Sequence, residues 1–402
     1  MRVLFFSPYP PFPPSFGGTV RIYNLMRQVA RHHDVFSLCY VSPFDPADDR
    51  KPLKDFVARH VEVQRPHPER KRLNQARSLL SRRSFQNIAH RHEPMQRALD
   101  QMVEDHQIDV IVVEFSQMAC FTMPEGPAVV IDEHNVEWDL LYREYKASAP
   151  GLRKLYQLSE YQKFRREELQ VLAAADVVTV TSPRDRDLLL EDDPSLDIEV
   201  VENGVDTQFF RPEPGRGEPD TLVFTGTMHY HPNTQAARWF CEEILPRIKT
   251  EVPGARFIGA GGRVPPELEV LCDESVHFTG YVEDIREWFH KASVFVVPLL
   301  VGGGTRFKVV EAMAMGKPVV STRLGAEGIP AKNGTDLVLA DDPNSFAAEV
   351  VDLLNDRARC ASMAAAGRRF VEEKFAWDVI AQRMERALER AVERAGRREL
   401  AT

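Results

Sequence analysis

The stretch 301-VGGGTRFKVVEAMAMGKPVVST-322 sets three consecutive glycines before Thr305, Arg306 and Lys308, then places Glu311 on an apolar run that stops at Gly316, Lys317 and Pro318. SVFVVP (293–298) precedes it, so the segment reads as buried strand, loop and helix. Glycines let backbone N–H groups come close to an anion, the start of a helix favours negative charge, and Arg306 and Lys308 add two cations. Two readings fit: a cradle for a phosphate or diphosphate, and a tight turn whose cations are solvated. The order G-x-x-x-x-G-K-S/T of a Walker A loop is absent. Glu311 likewise has two uses, pairing with Lys308 at i, i+3 or accepting hydrogen bonds from vicinal ligand hydroxyls, as acids do with ribose in dinucleotide folds.

The strand-then-helix pattern recurs along the chain. VLFF (3–6), DVFSLCYV (34–41), DVIVV (109–113), AVVID (128–132), VVTVT (177–181) and IEVV (198–201) alternate with amphipathic stretches, which predicts a mostly parallel sheet covered by helices on both faces. RPEPGRGEPD (211–220) replaces that pattern with Pro, Gly and charge and reads as a linker. The alternation restarts with TLVFTG (221–226), ARFIG (255–259), VHFTG (276–280), SVFVVP, KPVVS (317–321) and DLVL (336–339). The expected fold class is therefore α/β, with two Rossmann-like doubly wound domains in series: residues 1–212, residues 213–376, and a closing helix over 377–402. In that helix Met384, Ala387, Leu388, Ala391, Val392 and Ala395 form an apolar stripe that needs a partner surface. Ligands of such sheets bind outside the carboxyl ends of the strands.

Composition narrows the function classes. The 402 residues are 43% hydrophobic and 28% charged, the balance of a globular chain and not of a membrane-spanning one. A formal charge of -9 argues against bulk nucleic-acid binding. Five cysteines without a CxxC pair signal neither zinc nor a disulfide framework and suit a reducing cytoplasm. The run after Met1 is too short for a signal peptide, and no segment has the length to cross a bilayer, so a cytoplasmic protein is expected. Residues 65–97 nevertheless carry nine Lys or Arg against two acids, interleaved with Leu73, Leu79, Leu80, Phe85 and Ile88. That segment suits an anionic membrane surface, an anionic acceptor, or a plain solvated face.

Two further loops carry candidate chemistry. SPYPPFPPSFGG (7–18) leads from the first strand through prolines to Gly17 and Gly18 at a helix start, a place for an anion or an acceptor. It lacks GxGxxG, so a nicotinamide or flavin cofactor has little support. VVIDEHNVEWD (129–139) sets Asp132, Glu133 and His134 at a strand's carboxyl end, where His134 reads as a substrate contact, although a lone histidine is more often structural. No His/Asp/Glu cluster has metal spacing; Asp185 and Asp187 read as acids at a helix start.

The GG loop, DEHN, NGVD (203–206) and PLLVGGGTRFKVVEAMAMGKPVVST together resemble the family 4 retaining glycosyltransferases of the GT-B fold, over nearly the whole chain. That resemblance implies two domains facing a central cleft, a C-terminal helix crossing back to the first, and transfer of a sugar from a nucleotide diphosphate sugar to a saccharide or lipid-linked acceptor. It implies retention of configuration, no metal and no cofactor beyond the co-substrate, in polysaccharide or glycoconjugate assembly. By position, Arg306 and Lys308, with the amides of Gly303, Gly304 and Thr305, would neutralise the diphosphate. Glu311 would hold the ribose, backbone near Tyr281 and Val282 the base, Gly17 and Gly18 the phosphates or acceptor, and His134 the transferred sugar. The chain departs from the E-x7-E motif, whose first Glu falls on Gly303, as in a GGGTR-K variant. The family's usual Arg and Lys after the second domain's first strand are replaced in FTGTMHYHPN (224–233), which offers Met228, His229 and His231. An epimerase of the same fold and a catalytically silent nucleotide-sugar-binding subunit stand as alternatives.

Overall fold

A computed structural model of the chain describes residues 1–14, 16–42, 47–65, 71–213, 215, 217–302 and 306–401. They form two compact units, Met1–Glu202 with Ile380–Thr402, and Asn203–Val379. No helix of the described residues is long and apolar enough to cross a membrane.

The first unit is built on seven parallel strands: β1 (Arg2–Ser7), β2 (Asp34–Val41), β3 (Val57–Gln64), β4 (Val110–Glu114), β5 (Ala128–Glu133), β6 (Val177–Val180) and β7 (Ile198–Val200). Their order is β3-β2-β1-β4-β5-β6-β7. The order reverses between β1 and β4, so the connections leaving their carboxyl ends diverge and open a crevice there. The central strands are buried on both faces, as their unbroken apolar runs require. β3 is the strand that sequence patterning misses: VARHVEVQ sits at the edge, half-exposed, so polar residues interrupt its apolar ones.

The second unit repeats the plan with β8 (Thr221–Thr225), β9 (Arg256–Ala260), β10 (Val276–Phe278), β11 (Val294–Val297), β12 (Val319–Ser321) and β13 (Val338–Leu339), ordered β10-β9-β8-β11-β12-β13. Its switch point lies between β8 and β11, which places the loops after those two strands side by side. The expected boundary at 212/213 moves, because the compact units part at Glu202 and Asn203. The physical reason is Arg368, whose guanidinium donates to the carbonyls of Phe210 (2.6 Å) and Thr207 (3.0 Å) and ties the segment just before the supposed linker into the second unit.

The closing helix Trp377–Ala401 joins the first unit from Ile380 onward. Met384, Ala387, Leu388, Ala391 and Ala395 are buried as the stripe predicts, whereas Val392 is half-buried. A second row of contacts was hidden among its charges. Arg383 pairs with Glu202, Arg386 with Glu199 (3.6 Å), Arg390 with Asp197 and Glu199 (3.0 and 3.1 Å), Arg394 with Asp197 (2.7 Å) and Arg398 with Asp176 (2.8 Å). Each exposed pair is weak alone, so the apolar stripe carries most of the docking energy. Leu388→Ala should therefore cost about 2–5 kcal/mol in urea unfolding, whereas Arg386→Ala should cost under about 1 kcal/mol.

Candidate functional site

In the first unit the chemistry gathers at the carboxyl ends of β4 and β5. Asp132 is fully buried and faces Arg21, on the helix Gly17–Val29, in a two-pronged ion pair of 2.8 Å (Nε to Oδ2) and 2.6 Å (Nη2 to Oδ1). Thr179 donates to Oδ1 of the same carboxylate at 2.5 Å, and Arg21 also donates to the carbonyl of Glu202 at 3.1 Å. Burial opposes ionisation of Asp132, but the charge and hydrogen bonds of Arg21 outweigh it and hold the carboxyl well below the usual range.

His134 follows directly. Its Nε2 lies 2.6 Å from Oε2 of Glu114 and 3.5 Å from Oδ2 of Asp132. Burial, then the Asp132 charge, push Glu114 up to about 7, while His134 works the other way. Burial would lower the His134 pKa, yet hydrogen bonds to Asp132 and Glu114 prevail and raise it. Glu114 is thus pushed toward its protonated form and His134 toward its charged form across a 2.6 Å contact, and Nε2 is committed to carboxylates. Phe115 stacks on the imidazole with centroids 3.9 Å apart, and to do so takes φ 68°, a left-handed value that a bulky residue adopts only under constraint. Gly18 closes the arrangement: a Cβ there would meet Phe115 at 3.2 Å and Nδ1 of His134 at 3.6 Å. The structure therefore brings Gly18 and His134 together, and Nδ1 is the imidazole nitrogen on the glycine side.

Glu133 does not join them. Successive strand residues face opposite ways, and Glu133 lies with Glu168 in a separate buried acidic cluster. Burial, then Glu168, hold its carboxyl well above the ordinary value. Glu168, pushed up to about 8 mainly by burial, accepts from Ser116 Oγ (2.9 Å) and from the amides of Glu137 (3.0 Å) and Trp138 (2.8 Å) at the start of the helix Glu137–Ala147. These bonds to the first amides of the helix are those of a cap.

Two clusters that sequence spacing does not reveal have ligand atoms within 4.8 Å of one another: Glu114, Asp132 and His134, and Cys39, His60 and Glu62. Each already contains a guanidinium, Arg21 on Asp132 and Arg50 on Glu62 at 2.7 Å, which supplies the positive charge a cation would bring.

In the second unit, Lys308 sits on the helix Phe307–Ala314, with Arg306 at its N-cap. Its Nζ donates to Oδ1 of Asn233 at 2.8 Å and lies 4.1 Å from the centroid of Phe224. Gly226 (φ 150°) makes room, since a Cβ there would meet Asn233 at 2.7 Å and Nζ at 2.9 Å. Burial, then the Arg306 charge, lower the Lys308 ammonium to about 7. Glu311 is half-buried, and burial pushes it up to about 7 against the pull of Lys308. Among the described residues Lys308 donates to Asn233 and forms no direct ion pair with Glu311, on which it acts only through its charge. Arg306 packs on Gly302, where a Cβ would stand 2.8 Å from Nη2. Gly303, Gly304 and Thr305 lie outside the described residues.

Tyr281 and Val282 follow β10 through Gly280 (φ 71°), with Tyr281 85% exposed. They stand at the same end of the sheet as Lys308 but two strands from β8, which carries Phe224. Sequence reasoning missed Arg21, Glu114, Phe115, Phe224 and Asn233. Met228, considered for a charge-bearing loop, is fully buried in the core, and the polar group that meets Lys308 from this segment is Asn233, in the first turn of the helix His231–Trp239.

Residues 17–209 match the family described as Glycosyltransferase Family 4, and residues 219–356 match that described as Glycosyl transferases group 1. A GDP-mannose-dependent alpha-(1-6)-phosphatidylinositol monomannoside mannosyltransferase of Mycobacterium tuberculosis is 30% identical over 238 residues, 52% of this chain. The chain spans 60% of that relative's length. A D-inositol 3-phosphate glycosyltransferase of Streptomyces avermitilis is 28% identical over 53% of this chain and 52% of its own. Among solved structures, sucrose-phosphate synthase from Thermosynechococcus elongatus superposes with a TM-score of 0.69 at 16% identity, covering 97% of this chain and 98% of that one. Anabaena HepE in complex with UDP gives 0.66 at 14%, covering 97% and 100%. At such identities the likeness is one of fold.

The Glu114–His134 contact yields a test that needs no substrate. Glu114→Gln keeps a hydrogen-bond partner but removes the charge that raises His134, so the His134 imidazole, followed by NMR and assigned with His134→Gln, should titrate at least about one pH unit lower. An unchanged midpoint would mean that Glu114 does not set the charge of His134.

Proposed function

Because the chain belongs to the family 4 glycosyltransferases, we propose that it transfers a sugar from a nucleotide diphosphate sugar to an acceptor hydroxyl, with retention of configuration and without a metal or other cofactor. The observation that carries this reading is the setting of Lys308: an ammonium fixed by Asn233 and the face of Phe224, beside Arg306 at a helix start. As the glycosidic bond breaks, charge accumulates on the departing diphosphate. Preorganised cations stabilise that charge more in the transition state than in the ground state, the work a divalent ion does in other enzymes. Glu311 is assigned to the ribose hydroxyls, and the turn at Tyr281 and Val282 to the base. Gly303, Gly304 and Thr305 are assigned to the diphosphate through their amides.

On the first unit, His134 presents Nδ1 beside Gly18 and is assigned to a hydroxyl of the transferred sugar, with Gly17 and Gly18 leaving space for phosphate or acceptor. The acceptor is a saccharide or a lipid-linked one, as in polysaccharide or glycoconjugate assembly. We place the reaction at the cytoplasmic side of a membrane, touched by part of residues 65–97, where Leu73, Leu79 and Leu80 are 49%, 60% and 94% exposed. Salt-sensitive binding to vesicles containing anionic lipid is the expected result; no binding at low salt would leave these leucines unexplained.

Calorimetry with GDP, UDP, ADP and TDP, with and without EDTA, tests the donor half. GDP comes first, given the GDP-mannose dependence in the name of the mycobacterial relative. One nucleotide should bind equally well in EDTA. The free Lys308 ammonium sits at about 7, and a bound diphosphate favours its protonated form. Binding should therefore take up a proton at about pH 8, and affinity should fall as pH rises further. Lys308→Met should abolish the uptake. Turnover should fall about tenfold to a thousandfold in Arg306→Ala or Lys308→Ala; a strict need for a divalent ion, or near-normal rates in both variants, would overturn the mechanism.

A further inference from the structure

A cavity of about 410 Å³ opens on the first unit just before Gly17, between the proline-rich loop after β1 and the end of β2. It lies within the volume range of small-ligand sites. Its walls include Tyr9, Phe12, Phe16 and Tyr40, together with two guanidinium groups, Arg50 and Arg65. Two of the rings form a corner: Tyr9 meets Phe16 edge-on, at right angles, with centroids 5.2 Å apart, and Phe16 is 47% exposed. An exposed aromatic wall of that kind suits the apolar C–H face of a pyranose, whose hydroxyls stay at the rim.

The two arginines differ. Arg50 is neutralised by Glu62 at 2.7 Å. Arg65 is stacked over Tyr9 (5.2 Å to the centroid) and Tyr40 (5.9 Å), and donates from Nη2 to the carbonyl of Pro8 at 2.8 Å. Among the described residues it pairs with no carboxylate, and no acidic side chain lines the cavity. A guanidinium offers five donors in a flat fork matched to carboxylate and phosphate, and the aromatic faces hold this one flat while leaving its charge uncompensated.

We propose that this cavity seats an acidic sugar, whose carboxylate or phosphate pairs with Arg65 while its ring sits in the corner that Tyr9 and Phe16 form, and that this sugar is the acceptor. The proposal rests on the transferase reading above and narrows its acceptor to an anionic saccharide. Arg65 is the recognition residue, and the basic stretch that it opens has a binding role here that is separate from any membrane contact.

The test is ligand-observed NMR on the full chain with three probes, methyl β-D-glucuronide, glucose 6-phosphate and methyl β-D-glucoside, at low salt. At least one acidic sugar should bind about tenfold or more tighter than the neutral glucoside, weaken on adding salt, and lose about tenfold in Arg65→Gln. Preference for the glucuronide identifies a carboxylate, and preference for the phosphate ester a phosphorylated acceptor. Tyr9→Ala should weaken all three probes, which covers the case of an Arg65 variant that folds poorly. Equal binding of charged and neutral sugars, binding of neither acidic sugar, or full affinity in a folded Arg65→Gln would overturn the assignment. No probe carries a nucleotide, so failure of the donor site in calorimetry leaves this outcome independent.

Discussion

The first unit hangs on one buried ion pair. Arg21 and Asp132 come from opposite ends of its sequence logic, a helix after the first strand and the tip of the fifth, and meet where no water reaches either. With Thr179 on β6 and the carbonyl of Glu202 also bonded, the pair ties together a helix, two strand ends and the last residue before the second unit begins. Losing one member would strand a bare charge, which costs about 3–5 kcal/mol in such settings. The pair also fixes the electrostatics next door. Because Asp132 stays ionised, Glu114 is pushed toward protonation and His134 toward the charged form.

The second unit solves the same problem with less charge. Lys308 has an amide oxygen and an aromatic face for company, and burial, followed by the Arg306 charge, lowers its ammonium to about 7. In both units a glycine makes the approach possible. At Gly18 the neighbours are an aromatic ring and an imidazole; at Gly226 they are an amide and an ammonium. Any larger residue would have to displace the groups on which the site depends.

Fold and function were unevenly legible in the sequence. Twelve of the strands announce themselves, because buried parallel strands are nearly pure apolar runs; β3 does not, because an edge strand alternates and His60, Glu62 and Arg59 interrupt it. The segments carrying Gly18, His134, Lys308 and Glu311 were legible as turns from strand into helix, since each follows a strand's carboxyl end. Arg21, Glu114 and Asn233 were not, because their importance comes from contacts 111, 20 and 75 residues away. The face that a strand residue takes is also lost when a strand end is read as a cluster, which is why Asp132 and Glu133 look alike in sequence and part company in space.

The first unit is interrupted: its sheet comes from residues 1–202, and the helix that covers its β7 side arrives only after Val379. A chain growing from the ribosome therefore finishes the second unit, which is contiguous, while the first still exposes the apolar surface that Leu388 and Ala391 will cover and the acidic row Asp197, Glu199 and Glu202. During that interval the acids act as a solubilising fringe around an unfinished core, and the late arginines convert the same fringe into a fastening. The order of synthesis thus gives one set of side chains two successive jobs, guarding an open edge first and sealing it afterwards.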